Sequence, residues 1–166
     1  MAPKLKLMMP VREGFTLIEA FFVMLVITLF TSLTLGYVER VRQEARDVKR
    51  LADLSQMRAA LELYFHQYQS YPPGSNVALG RGAARTLSAA GWTEESAREP
   101  VFMTDVPPDP LPGARSPCVK NVPQPCAYSY THATSTGYSI RFHLEHGVPP
   151  LAAPGLYRLT PQGWRP

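Results

Sequence analysis

An uninterrupted run of 19 uncharged residues, positions 20–38, constrains this 166-residue chain more than any other feature of its sequence. As an α-helix rising about 1.5 Å per residue, the run would be about 28 Å long, close to the hydrocarbon thickness of a bilayer. Basic residues precede it at Lys4, Lys6 and Arg12, as in a secretory signal, but no small-x-small cleavage site follows it. The sequence therefore predicts a retained helix that crosses a membrane once.

Beyond position 38 the pattern changes from uniformly apolar to periodic. Apolar side chains recur every three or four residues, as on one face of an amphipathic helix. The positions are Val41, Ala45, Val48, Leu51, Leu54, Met57, Leu61, Tyr64 and Tyr68. No proline interrupts residues 15–71, and Tyr71-Pro72-Pro73-Gly74 is a stop signal. We therefore expect one continuous helix that ends near Tyr68 and lays its second half on a globular head.

Charged residues crowd the start of this periodic segment. Basic and acidic side chains follow one another at spacings of three and four residues, which favours ion pairs along a solvated helix face. The residues are Glu39, Arg40, Arg42, Glu44, Arg46, Asp47, Lys49 and Arg50. The net charge of the whole chain is only +4. A nucleic-acid surface needs freer basic charge, so this pattern argues against nucleic acid as a partner.

The C-terminal tail carries the strand signals. Tyr138, Ile140, Phe142 and Leu144 alternate with polar residues, which predicts a half-buried antiparallel strand flanked by strands near 127–132 and 156–160. Residues 76–104 read as a connector with one short helix around 83–90. The expected fold class is α+β: a long N-terminal helix, membrane-spanning in its first half, packed on a small C-terminal antiparallel sheet of three strands.

Glu19 is the one charged residue within positions 15–38, and it needs an explanation. A charge near the bilayer centre costs about 2.5 to 3.5 kcal/mol on insertion scales, and intramembrane ionisable groups usually find a partner. Glu19 lies only a turn from the start of the segment, where its carboxylate could instead reach water at little cost. The residues alone leave both readings open.

The sequence Arg12-Glu13-Gly14-Phe15-Thr16-Leu17-Ile18-Glu19 resembles the processing site of type IV pilins and of type II secretion pseudopilins. The resemblance implies that a prepilin peptidase cuts after Gly14 and methylates the new N-terminal residue, Phe15. It implies that the Glu19 carboxylate meets the positive terminal amine of a neighbouring subunit during filament assembly. It also implies a pilin-like fold. The implied partners are copies of this chain, related pilins, the prepilin peptidase and an inner-membrane assembly platform.

The chain then divides into five segments with distinct roles. They are a prepilin leader (1–14), a transmembrane and filament-core helix (15–38), its amphipathic continuation (39–71), a Pro-rich connector with a disulfide loop (72–126) and an antiparallel sheet (127–166). Before assembly the protein is expected in the inner membrane, with a single pass and the head outside the cytoplasm. After assembly it is expected in an extracytoplasmic filament, in the periplasm or at the cell surface.

Cys118 and Cys126 lie in the part expected outside the cytoplasm, so we expect them to form a disulfide that closes a short loop. Two ligands alone cannot complete a tetrahedral zinc site, and no second histidine lies at a helpful spacing from His132. Some major pseudopilins bind calcium through acidic residues of a C-terminal loop, but Glu145 is the single acidic residue after Asp109. No metal and no cofactor is therefore expected.

The sequence lacks the motifs of common catalytic sites. It has no Gly-rich phosphate loop, no nucleophile elbow and no His-Glu-x-x-His run. We therefore expect a structural subunit, a pilin or pseudopilin of a type IV pilus or type II secretion filament, rather than an enzyme. The alternative is a singly membrane-anchored periplasmic binding or adhesion module that does not polymerise. In that case Glu19 reaches water and the head recognises a ligand.

Overall fold

The computed structural model describes residues 14–94, 99–110 and 128–166. Its longest element is helix α1, Leu17–Tyr68, which confirms the single long helix expected from the sequence. Gln69 follows with a positive φ of 54°, and the two prolines after Tyr71 exclude a further helical turn. The chain divides into two compact units, one ending at Glu39 and the other, the head, beginning at Arg40.

Eight strands follow α1 in the described residues. They are β1 (Val77–Ala78), β2 (Thr86–Ser88), β3 (Gly91–Thr93), β4 (Val101–Met103), β5 (Ser129–Thr134), β6 (Gly137–Leu144), β7 (Gly155–Thr160) and β8 (Gly163–Arg165). They form a five-stranded sheet in the order β1-β5-β6-β7-β8 and a three-stranded sheet in the order β3-β2-β4. All recorded pairings are antiparallel. The α+β class expected from the sequence is therefore confirmed.

The structure corrects two expectations, the number of strands in the larger sheet and the short helix in the connector. The tail does form a meander, but the larger sheet has five strands rather than three. The short strand β1 joins from the connector and pairs with β5, while β8 returns after the turn at Pro161. The helix expected around residues 83–90 is also wrong, because that stretch holds a 3-10 turn, Gly82–Ala84, followed by β2. The connector thus contributes a second sheet to the head.

One hydrophobic core extends through the head and includes side chains of α1 and of both sheets. Leu54, Met57 and Leu61 on α1 are fully buried, and so are Ile140 and Leu144 on β6. Along β6 the buried and half-buried positions alternate, as the period-two pattern predicted. The aromatic side chains near the end of α1 join this packing, since the rings of Tyr64 and Phe102 lie 5.3 Å apart.

The apolar stripe of α1 faces the core only in its second half. Val41 is 43% exposed and Val48 is 56% exposed, so these two positions do not pack on the head as expected. The buried positions in this part of the helix are Asp47 and Arg50. Charged side chains therefore take the place that the periodicity assigned to apolar ones, and their contacts are described below.

Candidate functional site

The first turn of α1 is organised by Thr16 and Glu19. The Thr16 hydroxyl accepts a hydrogen bond from the backbone N–H of Glu19 at 3.3 Å, and the Thr16 carbonyl accepts one from Ala20 N–H at 3.1 Å. Thr16 thus occupies the N-cap and Glu19 the third helical position. A carboxylate here also interacts favourably with the positive end of the helix dipole. Thr-x-x-Glu before an apolar run is the sequence signal for this cap.

The surface of α1 that follows is apolar and open. Phe15 is 75% exposed, Leu17 90% and Ile18 76%, and the exposed side chains continue along the segment to Phe30. Within the described residues, α1 is the one helix long and apolar enough to cross a membrane. Contiguous apolar surface of this extent is rare on soluble monomers, so it requires lipid or other apolar helices around it.

Three hydroxyl groups described in this segment form hydrogen bonds inside the helix. Thr28, Thr31 and Ser32 donate to the carbonyl oxygens of Met24, Ile27 and Leu29 at 2.7 to 2.8 Å. Such bonds let a helix carry hydroxyl side chains in hydrocarbon without an outside partner. The carboxylate of Glu19 is the one formal charge left within positions 15–38.

Gly14 and Phe15 lie before the helix begins. Both are exposed, and a Cβ placed on Gly14 would meet no atom within 4 Å. Within residues 14–94, 99–110 and 128–166, nothing therefore makes a steric demand for glycine at position 14. The predicted disulfide partners Cys118 and Cys126 lie outside the described residues, and their pairing stays a prediction.

A buried charge cluster, formed by Arg46, Asp47, Arg50, Asp109 and Glu145, holds the start of the head together. Arg50 is only 1% exposed and contacts three carboxylates. Its guanidinium donates two hydrogen bonds of 3.1 Å to Asp109, one of 2.7 Å to Asp47 and one of 2.6 Å to Glu145. Arg46 adds a two-pronged pair with Glu145 at 2.6 and 2.9 Å. Four of the five N–H donors of Arg50 are thus engaged, and the paired bonds to Asp109 match the planar fork of the guanidinium.

Asp47 also fastens the loop after β6. Its carboxylate accepts hydrogen bonds from the backbone N–H groups of Glu145, His146 and Gly147 at 2.8 to 3.0 Å. Gly147 has a φ of 86°, and a Cβ there would lie 2.6 Å from the backbone of Ala153. The loop therefore needs glycine at this position for both conformation and space.

The charged side chains at the start of the head fall into an exposed group and a buried group. Arg40 and Glu44 form the exposed pair expected at a spacing of four, with 3.2 Å between nitrogen and oxygen. The expectation of a wholly solvated face is nevertheless wrong, because Asp47 and Arg50 are buried. Asp109, held between two prolines, and Glu145, after β6, supply the counter-charges. No local signal in the sequence connects these positions.

Another buried carboxylate of α1, that of Asp53, lies three residues beyond Arg50. Asp53 is 7% exposed and accepts a hydrogen bond from the Tyr128 hydroxyl at 3.3 Å. Burial raises the pKa of Asp53 above its ordinary value, although Lys49 and the tyrosine hydroxyl act to lower it. The burial also raises the pKa of Tyr128, so this phenol stays protonated and donates to the carboxylate.

The stability of the head should fall in two steps as the pH is lowered. Burial and the nearby Arg50 lower the pKa of His143, outweighing the carboxylates of Asp47, Glu145 and Asp109. A histidine with a lowered folded pKa stabilises the fold above its unfolded value, about 6.5, and this contribution is lost below that pH. The first loss should therefore begin near pH 6.5. His143→Gln should remove this step, as measured by urea unfolding of the full chain in detergent between pH 8 and 5.

The second loss of stability on lowering the pH arises from the carboxylates of Asp47 and Glu145. Burial alone would raise the pKa values of Asp47 and Glu145, but backbone N–H groups around Asp47 and the arginines around Glu145 lower both. Their contribution is complete above the unfolded values, roughly 4, and is lost as the pH falls through the lowered folded values. Unchanged stability down to pH 3 would contradict this assignment.

Comparison with known proteins gives no match to a family model, to a curated protein or to a solved structure.

Proposed function

We propose that this chain is the structural subunit of a filament of the type IV pilus or type II secretion kind, a pilin or pseudopilin. The leader up to Gly14 is removed by a prepilin peptidase, and the mature chain starts at Phe15. Assembly places the apolar surface of α1 against the same surface of neighbouring copies. The head remains outside the cytoplasm, and the chain waits in the inner membrane before it is incorporated.

The observation that carries this proposal is one carboxylate, Glu19, at the start of an exposed apolar segment, positions 15–38, that holds no other charged side chain. Removal of residues 1–14 would create a positive amine at Phe15, four residues away. Within a bundle of such helices, the amine of one copy and the carboxylate of the next neutralise each other, which removes the cost of burying either alone. Lipid around an isolated helix would cover the apolar surface, but the carboxylate would then have to reach water at the membrane surface.

The residue type at position 14 gives a second argument for the same proposal. In the part of the chain that the structure describes, a Cβ at Gly14 would meet no atom within 4 Å, so no contact there requires glycine. A peptidase that must approach the scissile backbone closely supplies a reason for glycine at this position.

The alternative is a singly anchored module that never polymerises. The position of Glu19 in the first turn of α1 favours it in one respect, since a carboxylate there interacts favourably with the dipole of its own helix. The two functions differ at the N-terminus and in the state of assembly. Mass spectrometry of membrane fractions should find an N-methylated Phe15 for the filament subunit, and an intact Met1 for the anchored module.

Gly14→Val should block maturation of the protein. A β-branched side chain at the scissile position obstructs the approach of the peptidase, so the precursor should accumulate and the mature chain should fall at least tenfold. Gly36→Val is the matched control, because a Cβ at Gly36 also meets no atom within 4 Å and the site lies far from the cut. Immunoblotting resolves the two forms by size. Normal amounts of mature Gly14→Val protein would exclude prepilin processing.

A further inference from the structure

Three arginines lie in one row across the C-terminal half of the larger sheet. Arg141 on β6 is directly opposite Arg158 on β7, and Arg158 is directly opposite Arg165 on β8. Adjacent strands lie about 4.8 Å apart, so the row spans about 10 Å between its outer members. We refer to Arg141, Arg158 and Arg165 as the arginine ladder.

The ladder lies on the face of the sheet that is turned away from the core. Arg158 and Arg165 are exposed, whereas their neighbours Leu159 and Trp164 pair on the core side. The strands β1, β5, β6, β7 and β8 contain no aspartate or glutamate. Arg141 donates to the side-chain oxygen of Asn76, and within the described residues none of the three arginines pairs with a carboxylate.

Like charges placed directly opposite each other in a sheet are destabilising. The head neutralises its buried arginine with three carboxylates but leaves this row without an acidic counter-charge in the described residues. An external anion would remove the repulsion. Because the row is linear, an anion with regularly spaced charges can meet all three guanidinium groups at once.

We propose that the arginine ladder binds the phosphate backbone of double-stranded nucleic acid. The duplex offers the dense, regular array of phosphates that a row of guanidinium forks fits. Aromatic side chains of these strands, such as Tyr157 and Trp164, alternate onto the core side. The ladder face therefore lacks the stacking platform that single strands require. This binding does not depend on filament assembly.

Three basic residues of α1, Arg40, Arg46 and Arg50, pair with carboxylates and so are not available to a phosphate backbone. The ladder residues are separated by 17 and 7 positions, and only the strand register brings them together. The contact expected is to phosphates alone, so it should be independent of base sequence.

The test is binding of the full chain in zwitterionic detergent to a fluorescent 20-base-pair duplex, followed by anisotropy between 25 and 200 mM salt. Three phosphate contacts predict a slope of about −2.7 for the logarithm of the association constant against the logarithm of salt. Each single Arg→Gln change in the ladder should reduce the magnitude of this slope by about one. The triple variant Arg141→Gln, Arg158→Gln, Arg165→Gln should bind at least tenfold more weakly at 50 mM salt.

The control variant removes the same charge elsewhere, at the exposed residues Arg42, Lys49 and Arg85, each changed to Gln. It should retain most of the binding. An equal loss in both triple variants would show that net charge alone attracts the duplex and would overturn the proposal. Tighter binding to a single strand of the same length, or to heparin at equal charge concentration, would overturn it in favour of those polyanions.

Discussion

Glu19→Gln should abolish filament assembly while leaving the chain processed and membrane-bound. The amide cannot neutralise the amine of a neighbouring Phe15, so each subunit contact would bury an unpaired positive charge. Removing one partner of a buried ion pair costs about 3 to 5 kcal/mol. Summed over the contacts of a filament, this cost should reduce sheared filaments to below detection. The change keeps the helix N-terminus, because the hydrogen bond to Thr16 uses the backbone N–H of residue 19.

The outcome separates the two proposed functions. Cleavage should survive in Glu19→Gln, so the mature monomer should accumulate in membranes, as judged by mass spectrometry of its N-terminus. Glu39→Gln is a suitable control, because it removes an exposed acidic charge at the other end of the apolar segment. If Glu19→Gln formed filaments at the normal level, the carboxylate would be reaching water and the intersubunit ion pair would have to be abandoned.

Arg50→Met should destabilise the head more than any other single change at a charged residue of α1. Methionine fills part of the space but leaves Asp47, Asp109 and Glu145 close together without their shared cation. The expected loss is about 3 to 5 kcal/mol of unfolding free energy. Trp92 and Trp164 report this transition, since their rings pack on Tyr130 and Phe142 in the head. Urea unfolding of the full chain in detergent, followed by tryptophan fluorescence, measures it.

A control variant and a change of pH test whether the loss of stability in Arg50→Met arises from the buried charge cluster. Arg40→Met removes an arginine whose side chain is 63% exposed and paired only along the helix surface, so it should cost less than about 1 kcal/mol. Lowering the pH should narrow the gap between Arg50→Met and the parent, because protonation removes the repulsion among the three carboxylates. A loss as small as that of Arg40→Met at neutral pH would show that the cluster contributes little.

The elements that the sequence predicted best are those set by local pattern. The apolar run at 20–38 and the periodicity beyond it predict a single helix ending at Tyr68, and the structure has one. The alternation from Tyr138 to Leu144 predicts the central strand β6 and its buried face. In both cases neighbouring residues carry the signal, because helix and strand periods are properties of the backbone itself.

The candidate processing and assembly residues, Gly14, Phe15 and Glu19, were likewise found in the sequence, through a motif of adjacent positions. The structure adds the N-cap at Thr16 and the empty space around Gly14. The second sheet was missed, because strands of three residues with few β-branched side chains give almost no periodic signal.

Only the tertiary structure determines which charged side chains are buried and which of them lie close together. The spacing of Asp47 and Arg50 allowed a solvated ion pair, and their burial depends on Asp109 and Glu145, which lie far away in the chain. The arginine ladder likewise exists only through the registers of β6 with β7 and of β7 with β8. Sequence sets which residues carry charge and which local structure they adopt. The free energy of a charge depends on its distance from other charges and from water, and only the folded chain sets those distances.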